Sequence, residues 1–234
     1  EIKRGTDVFQ SALSTASWTL RAPPALGADR MTVTVPLGDT TPIAVDAAGR
    51  DVEILWPTST TAPATTVDIQ IANARNVVSI GGWWRPAGGG CSRQQALYLR
   101  DLRGTAHLER MRVELVDRRW STMALSGDFL QWRGPSGIYP SLVLQKCRVT
   151  GLGGDVAHPY HADLVQQAGP IGDVHVDGLT CSTNYQTFLW VPLTGAYTPT
   201  QRSKTFKLRN VNFIATGGRT DGRTADLFYL KSGY

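Results

Sequence analysis

The chain has 234 residues, 41% of them hydrophobic and 18% charged, with a formal net charge of +5. That length suits one large domain or two small ones, and no run of ~18 apolar residues is present to span a bilayer. Nineteen of the 24 basic residues are arginine but they are scattered, the nearest approach to a basic run being "RMR" and "DRRW". This argues against nucleic acid and leaves either an ordinary charged surface or an anionic polymer such as a uronate polysaccharide.

The chain begins without Met and without a basic-then-apolar leader, so an export signal is expected to lie outside it. Residues 6–20, "TDVFQSALSTASWTL", place Val8, Leu13 and Trp18 at helical spacing, and Thr6 or Asp7 can cap the first turn. They predict a short N-terminal helical cap within residues 1–30, covering strand edges that would otherwise be free to pair. "MTVTVP" at 31 then opens the first of a series of short strands, followed by "RDVEILWP" at 50 and "ARNVVSIGG" at 74.

From there the chain repeats. "DIQIA" at 68, "ALYLR" at 96, "DFLQW" at 128, "DLVQQ" at 163 and "DLFYL" at 226 begin alike, with "TFLWV" at 187 filling the last gap. This alignment sets Asp68, Asp128, Asp163 and Asp226 in one register. A second family, "HLERMRVEL" from His107, "VLQKCRVTG" from Val143, "HVDGLTCST" from His175 and "KLRNVNFIA" from Lys207, aligns without gaps. Leu108, Leu144, Val176 and Leu208 form one apolar column. Met111, Cys147, Leu179 and Val211 form a second, and Val113, Val149, Cys181 and Phe213 a third. The columns between are mostly polar, which is strand alternation and not helical spacing. His107 and His175 fall in an outward column and read as surface residues.

Between strands lie Gly-, Pro-, Ser- and Thr-rich stretches such as "RGPSGIYP" and "ATGGRTDGRT", none long enough in helical pattern for a βαβ crossover. Strands recurring every ~25–38 residues without helices describe a solenoid, stabilised by stacking because one coil cannot bury its own apolar side. Residues 31–231 supply about six coils of a single domain. Cys91, Cys147 and Cys181 are too widely spaced for a paired-cysteine metal motif. One bridge with a free thiol, or three buried thiols, both fit.

The stacked columns, "ARNVVSIGG" and "HADLVQ" at 161–166 together resemble the right-handed parallel β-helix proteins of the pectate-lyase-like superfamily over most of residues 31–231. The resemblance implies an all-β fold and a secreted or cell-surface protein that acts on polysaccharide, as lyase, hydrolase, epimerase, tailspike or adhesin. Arg-x-Pro-x-x-Arg, Asn-Thr-Asp, Gly-His-Gly and Asp-Pro-His motifs, which mark particular enzymes of the superfamily, are absent. The resemblance therefore implies the fold and a substrate class but no named activity.

The candidate site is the stretch "DVAHPYHADLVQQ" and the coil before it. Asp128 and Asp163, one coil apart, place carboxylates about one strand spacing, ~5 Å, apart. Such a pair can share a proton, serve as a retaining acid and nucleophile, hold Ca²⁺ weakly through oxygen, or simply cap backbone N–H groups. His158 or His161 can act as base and Tyr160 as acid, while Arg133 pairs with a substrate carboxylate. Gln131 and Gln166 occupy matching positions, and Trp132 reads as outward-leaning, offering a ring to a sugar face. The expected function is binding, with processing by β-elimination or a related reaction, of an acidic polysaccharide in a groove lined by these residues. The alternative is a non-catalytic adhesin, tailspike-like or assembly module, or a piece of a longer enzyme. Self-association through a bare C-terminal strand edge would belong to that alternative.

Overall fold

The computed structural model of the chain describes residues 19–86, 94–115, 127–153, 162–167, 171–190, 205–216 and 226–230. Their regular structure is nineteen strands, numbered β1 to β19 in chain order, and no helix occurs among them. Sheet C contains β2 (Ile43–Asp46), β4 (Ile69–Ala72), β7 (Gln95–Arg100), β10 (Asp128–Trp132), β13 (Asp163–Gln167), β16 (Gln186–Trp190) and β19 (Asp226–Leu230). Sheet A contains β1 (Met31–Thr34), β3 (Val52–Leu55), β5 (Val77–Ile80), β8 (Thr105–Glu109), β11 (Ser141–Gln145), β14 (Val174–Asp177) and β17 (Phe206–Arg209). Sheet B contains β6 (Trp83–Trp84), β9 (Arg112–Glu114), β12 (Arg148–Leu152), β15 (Thr180–Thr183) and β18 (Asn212–Ala215).

All pairings between these strands are parallel. From β4 on, the chain visits C, then A, then B, and returns to C one strand further along. The result is an all-β parallel β-solenoid whose ladders are seven deep in two sheets and five deep in the third. The second-strand columns stack as the sequence pattern requires: Leu108, Leu144, Val176 and Leu208 are register partners in sheet A, as are Val113, Val149, Cys181 and Phe213 in sheet B.

Inward side chains from the three sheets fill one core, with Ile71, Leu99, Leu108, Leu144, Trp84, Val113 and Trp132 all 2% exposed or less. Removing a buried methylene-rich side chain from such a core costs about 2–5 kcal/mol, because stacked neighbours cannot close the void. Cys147 and Cys181 belong to this core. Burial pushes their thiols up, to about 12 and about 11, so neither is a nucleophile near neutral pH. Cys91 lies outside the described residues.

The corner between sheets A and B repeats one backbone device. Gly81, Arg110, Lys146, Gly178 and Asn210 follow β5, β8, β11, β14 and β17, with φ of 76°, 56°, 53°, 73° and 53°. This left-handed residue turns the chain sharply, and Gly and Asn adopt it with least strain. Each of the first four donates its N–H to the next coil, as Arg110 N does to Gln145 O at 3.0 Å and Lys146 N to Asp177 O at 2.8 Å.

The expected helical cap is not seen. Residues 1–18 lie outside the described residues, and residues 19–30 are not helical. They run instead as a strap over the outer face of sheet A. The Arg21 N–H donates to Gln145 Oε1 at 3.1 Å and Gln145 Nε2 donates back to Arg21 O at 2.8 Å. Six residues on, the Gly27 N–H donates to Asp51 Oδ2 at 2.7 Å. Gln145 lies on β11 and Asp51 precedes β3, three strands away, or about 14 Å at normal spacing. Pro23 and Pro24 favour the extended backbone that makes this crossing and cannot continue a helix.

Candidate functional site

Sheet C carries the predicted site, and its register decides which residues face outward. Leu97 pairs with both Ile69 and Leu130, and Leu130 with Val165. These residues are buried, so their column points inward, and side chains one position away point outward. The inner column at the strand starts holds Gln95, Asp128 and Asp163, and Gln186 and Asp226 follow in backbone register. Asp68 is not in it. Ile69 pairs with Leu97, so Asp68 stands one residue out, level with Ala96 on the outer side. The four-aspartate register expected from sequence is corrected to three aspartates interleaved with two glutamines.

Asp128 and Asp163 are fully buried, and Asp128 Oδ1 accepts the backbone N–H of Asp163 at 2.9 Å. Gln95 Nε2 donates to Asp128 Oδ2 at 3.4 Å. The carboxylate of one coil thus caps the strand of the next, and neither aspartate lines an open groove. No group of three or more His, Cys, Asp or Glu side chains placed to hold a metal occurs among the described residues. Trp132 is likewise corrected. It follows Leu130 by two on the inward column and is 0% exposed, a core ring with no face for sugar.

The outer side of sheet C has two zones. At the strand starts Asp68, Ala96, Phe129, Leu164 and Thr187 are all buried despite facing away from the core. Further along, Gln70, Tyr98, Gln131 and Gln166 form one half-buried row in register. Gln131 Nε2 donates to Gln166 Oε1 at 2.8 Å, holding two amides in fixed orientation along the stack. Beyond this row lie Arg100 and Arg133. The Arg133 N–H donates to Leu99 O at 3.0 Å, which sets the two arginines side by side, about one strand spacing apart. Both are partly buried, and the Nε of each has no hydrogen-bond partner among the described residues. Arg100 Nε lies 3.4 Å from Asp101 Oδ2, close enough for charge attraction but off hydrogen-bond geometry.

Of the residues predicted from sequence, the structure therefore brings Gln131, Gln166 and Arg133 onto one outer face and sends Asp128, Asp163 and Trp132 inside. His158, Tyr160 and His161 lie outside the described residues. Gln70, Tyr98 and Arg100 are additions. They were legible by setting "QALYLR" from Gln95 against "DFLQWR" from Asp128, which aligns Arg100 with Arg133. Starting from Ala96 instead shifts the comparison by one and hides both the arginine pair and the glutamine–tyrosine row.

The histidines of sheet A also need correction. His107 and His175 do face outward, in the column Val78, His107, Val143, His175 and Lys207, but they are 0% and 6% exposed. The neighbouring outward column holds Glu109, Gln145 and Asp177, also buried. Glu109 Oε2 lies 3.2 Å from His107 Nε2 and accepts from Gln145 Nε2 at 3.0 Å. Asp177 accepts from the Arg209 guanidinium and from Asn210 Nδ2. Burial alone would raise the Glu109 and Asp177 carboxyls. Hydrogen bonds from Gln145 and His107, and from Arg209 and Asn210, outweigh it and hold both below their ordinary values. Burial, with Arg21 of the strap next in weight, lowers His175 below the ordinary histidine range.

Among the described residues no helix is long and apolar enough to cross a membrane. No family model, no curated protein and no solved structure matches the chain.

Proposed function

We propose that the protein binds an acidic carbohydrate polymer along the outer face of sheet C. In this reading it is a secreted or cell-surface right-handed β-helix of the pectate-lyase-like kind. The observation that carries the proposal is the register of Arg100 with Arg133 beside the row Gln70, Tyr98, Gln131 and Gln166. Two partly desolvated guanidiniums at strand spacing present parallel forks to carboxylates on a chain lying across the coils. The adjoining amides donate and accept towards hydroxyls, and Tyr98 adds a ring with a polar tip. The half-buried state of the row supports a shallow groove with a rigid floor, which loses little entropy on binding.

Binding alone is favoured over binding with cleavage, because the two carboxylates expected to do acid–base work are buried in the strand starts and one already caps a peptide N–H. Processing would fall to His158, Tyr160 and His161, with a histidine removing the proton next to the uronate carboxyl and Arg133 stabilising the charge that develops. Self-association through the β19 edge is the further element of the non-catalytic reading, and sizing over a range of concentrations tests it.

Calorimetric titration with alginate, pectate and glycosaminoglycans tests the proposal. Arg100→Ala with Arg133→Ala is expected to weaken binding of the preferred polymer at least tenfold without loss of fold. Equal binding by the double variant overturns the reading. Ultraviolet absorbance from an unsaturated product, abolished in His161→Ala, would replace binding alone with lyase activity.

A further inference from the structure

A second charged surface lies around the solenoid from sheet C, on the corner that joins sheets A and B. Each coil there places one residue on either side of an inward side chain. Arg110 and Arg112 flank buried Met111, and Lys146 and Arg148 flank buried Cys147. Arg112 and Arg148 are register partners, and Arg148 N donates to Met111 O at 2.8 Å, so the two pairs stack one directly above the other. All four side chains are exposed. The same positions in adjoining coils are uncharged: Gly81 and Trp83 on one side, Gly178 and Thr180 on the other.

The four cations are unevenly neutralised. Arg110 Nε lies 3.1 Å from Glu109 Oε1, and Arg112 Nε donates to Glu114 Oε1 at 2.7 Å. Lys146 and Arg148 have no ion pair among the described residues. The corner therefore keeps two uncompensated charges beside two exposed arginines whose pairs, being solvent-screened, are weak. The backbone holds the pairs of adjoining coils about 4.8 Å apart. Trp83 does not offer a free stacking face, because the Arg112 guanidinium sits over its ring at 4.3 Å.

We infer that this corner is a binding site for a densely charged anionic glycan, one bearing sulfate groups, separate from the sheet C face. The partner follows from the chemistry present. Closely spaced, exposed cations match closely spaced oxyanions, and arginine engages such groups through two donors at once. Among the described residues this corner has no amide row and no open aromatic face, so charge density, and not sugar identity, is the basis of recognition. Single-stranded nucleic acid, which needs aromatic platforms for its bases, fits less well because the one ring here is covered.

The molecule supplies its own non-disruptive substitutions. Asn210 occupies the Lys146 position two coils on with φ of 53°, and Thr180 occupies the Arg148 position one coil on. Lys146→Asn with Arg148→Thr thus removes both uncompensated charges while keeping a residue each position already accepts. Heparin binding is measured by calorimetry across a salt series, with chemically desulfated heparin and oligo-dT as comparators. The expected result is salt-dependent binding to heparin, weakened at least tenfold and with a shallower salt dependence in the double variant. Desulfated heparin should bind weakly. All measurements are made on the Arg100→Ala/Arg133→Ala background, in which the sheet C site is removed, so that binding reports this corner alone and its failure is distinguishable from failure of the sheet C site. Unaltered heparin affinity in Lys146→Asn/Arg148→Thr, equal affinity for desulfated heparin, or tighter binding to oligo-dT overturns the inference.

Discussion

Two outer faces of the same solenoid have been put to opposite uses. The outer face of sheet A carries His107, His175, Glu109, Gln145 and Asp177, a cluster of titratable and hydrogen-bonding side chains, and buries all of them. The outer face of sheet C carries Gln70, Tyr98, Gln131 and Gln166, less suggestive residues, and leaves them half open. Part of the difference is the strap. Residues 19–30 cross sheet A and are tied by Gln145 at one end and Asp51 at the other, converting an outer face into a second, polar interior. Glu109 is taken up by His107 and Gln145, and Asp177 by Arg209 and Asn210, as buried carboxylates must be. A titratable residue on the outside of a solenoid is a site candidate only if nothing else lies over it.

The contrast breaks most visibly at the tie point. Asp51 is fully buried and accepts from Gly27 N at 2.7 Å, Arg75 Nε at 2.8 Å and Asn76 Nδ2 at 2.9 Å. The Arg75 guanidinium, ahead of the Gly27 and Asn76 hydrogen bonds, holds its carboxyl far below the usual range despite burial. Asp51→Ala leaves these donors without their acceptor and should destabilise the protein by about 3 kcal/mol, read as a shifted urea midpoint. A loss under about 1 kcal/mol would mean that the strap contributes little.

Gln145→Ala removes the two-way bond to Arg21 and the donor to Glu109, so a loss of about 2 kcal/mol is expected. Hydrogen exchange should show the Arg21 amide losing protection while the strand amides of sheet C keep theirs. Uniform loss of protection would show that strap and coils unfold as one.

A smaller effect follows from pH. His175 has its folded pKa below the ordinary 6.5, so the unfolded chain binds a proton more readily than the folded one. Its contribution is fully present above pH ~6.5 and is lost as pH falls from there through the folded pKa. The facing groups are Arg21 on the strap, Asp177 on its own strand, and Lys207 and Arg209 on β17. Only Asp177 favours the charged imidazole. Urea midpoints should therefore fall between pH 7 and pH 5, and less steeply in His175→Asn. Equal slopes would move the pH dependence elsewhere. The smallest effect belongs to sheet C, where Gln131→Ala should change stability by less than about 0.5 kcal/mol while weakening polymer binding. Destabilisation matching Gln145→Ala would erase the distinction between a structural and a functional face.

Much of the molecule was legible before any coordinates. The gapless repeat around His107, Val143, His175 and Lys207 gave the last four strands of sheet A and of sheet B residue for residue, because alternation and a fixed turn length leave a single register. Sheet C was legible only in part. Its strands are separated by loops of unequal length, so the alignment rested on a first-letter aspartate. That was right from Asp128 to Asp163 and one residue out for Asp68. The same slip assigned Trp132 to the outside.

The sequence by itself determined the parallel β-solenoid, since period-two columns of apolar residues can be buried only by stacking like on like. It also determined which residues share a column in the gapless repeat of sheets A and B. Only the tertiary structure decided which columns meet solvent. An outward side chain is exposed or buried according to whether a distant segment lies over it, and here one stretch of chain before the first strand runs across sheet A from Gln145 to Asp51. Local alternation carries no information about such a contact, because the strap's bonds to Gln145 are made 124 residues away.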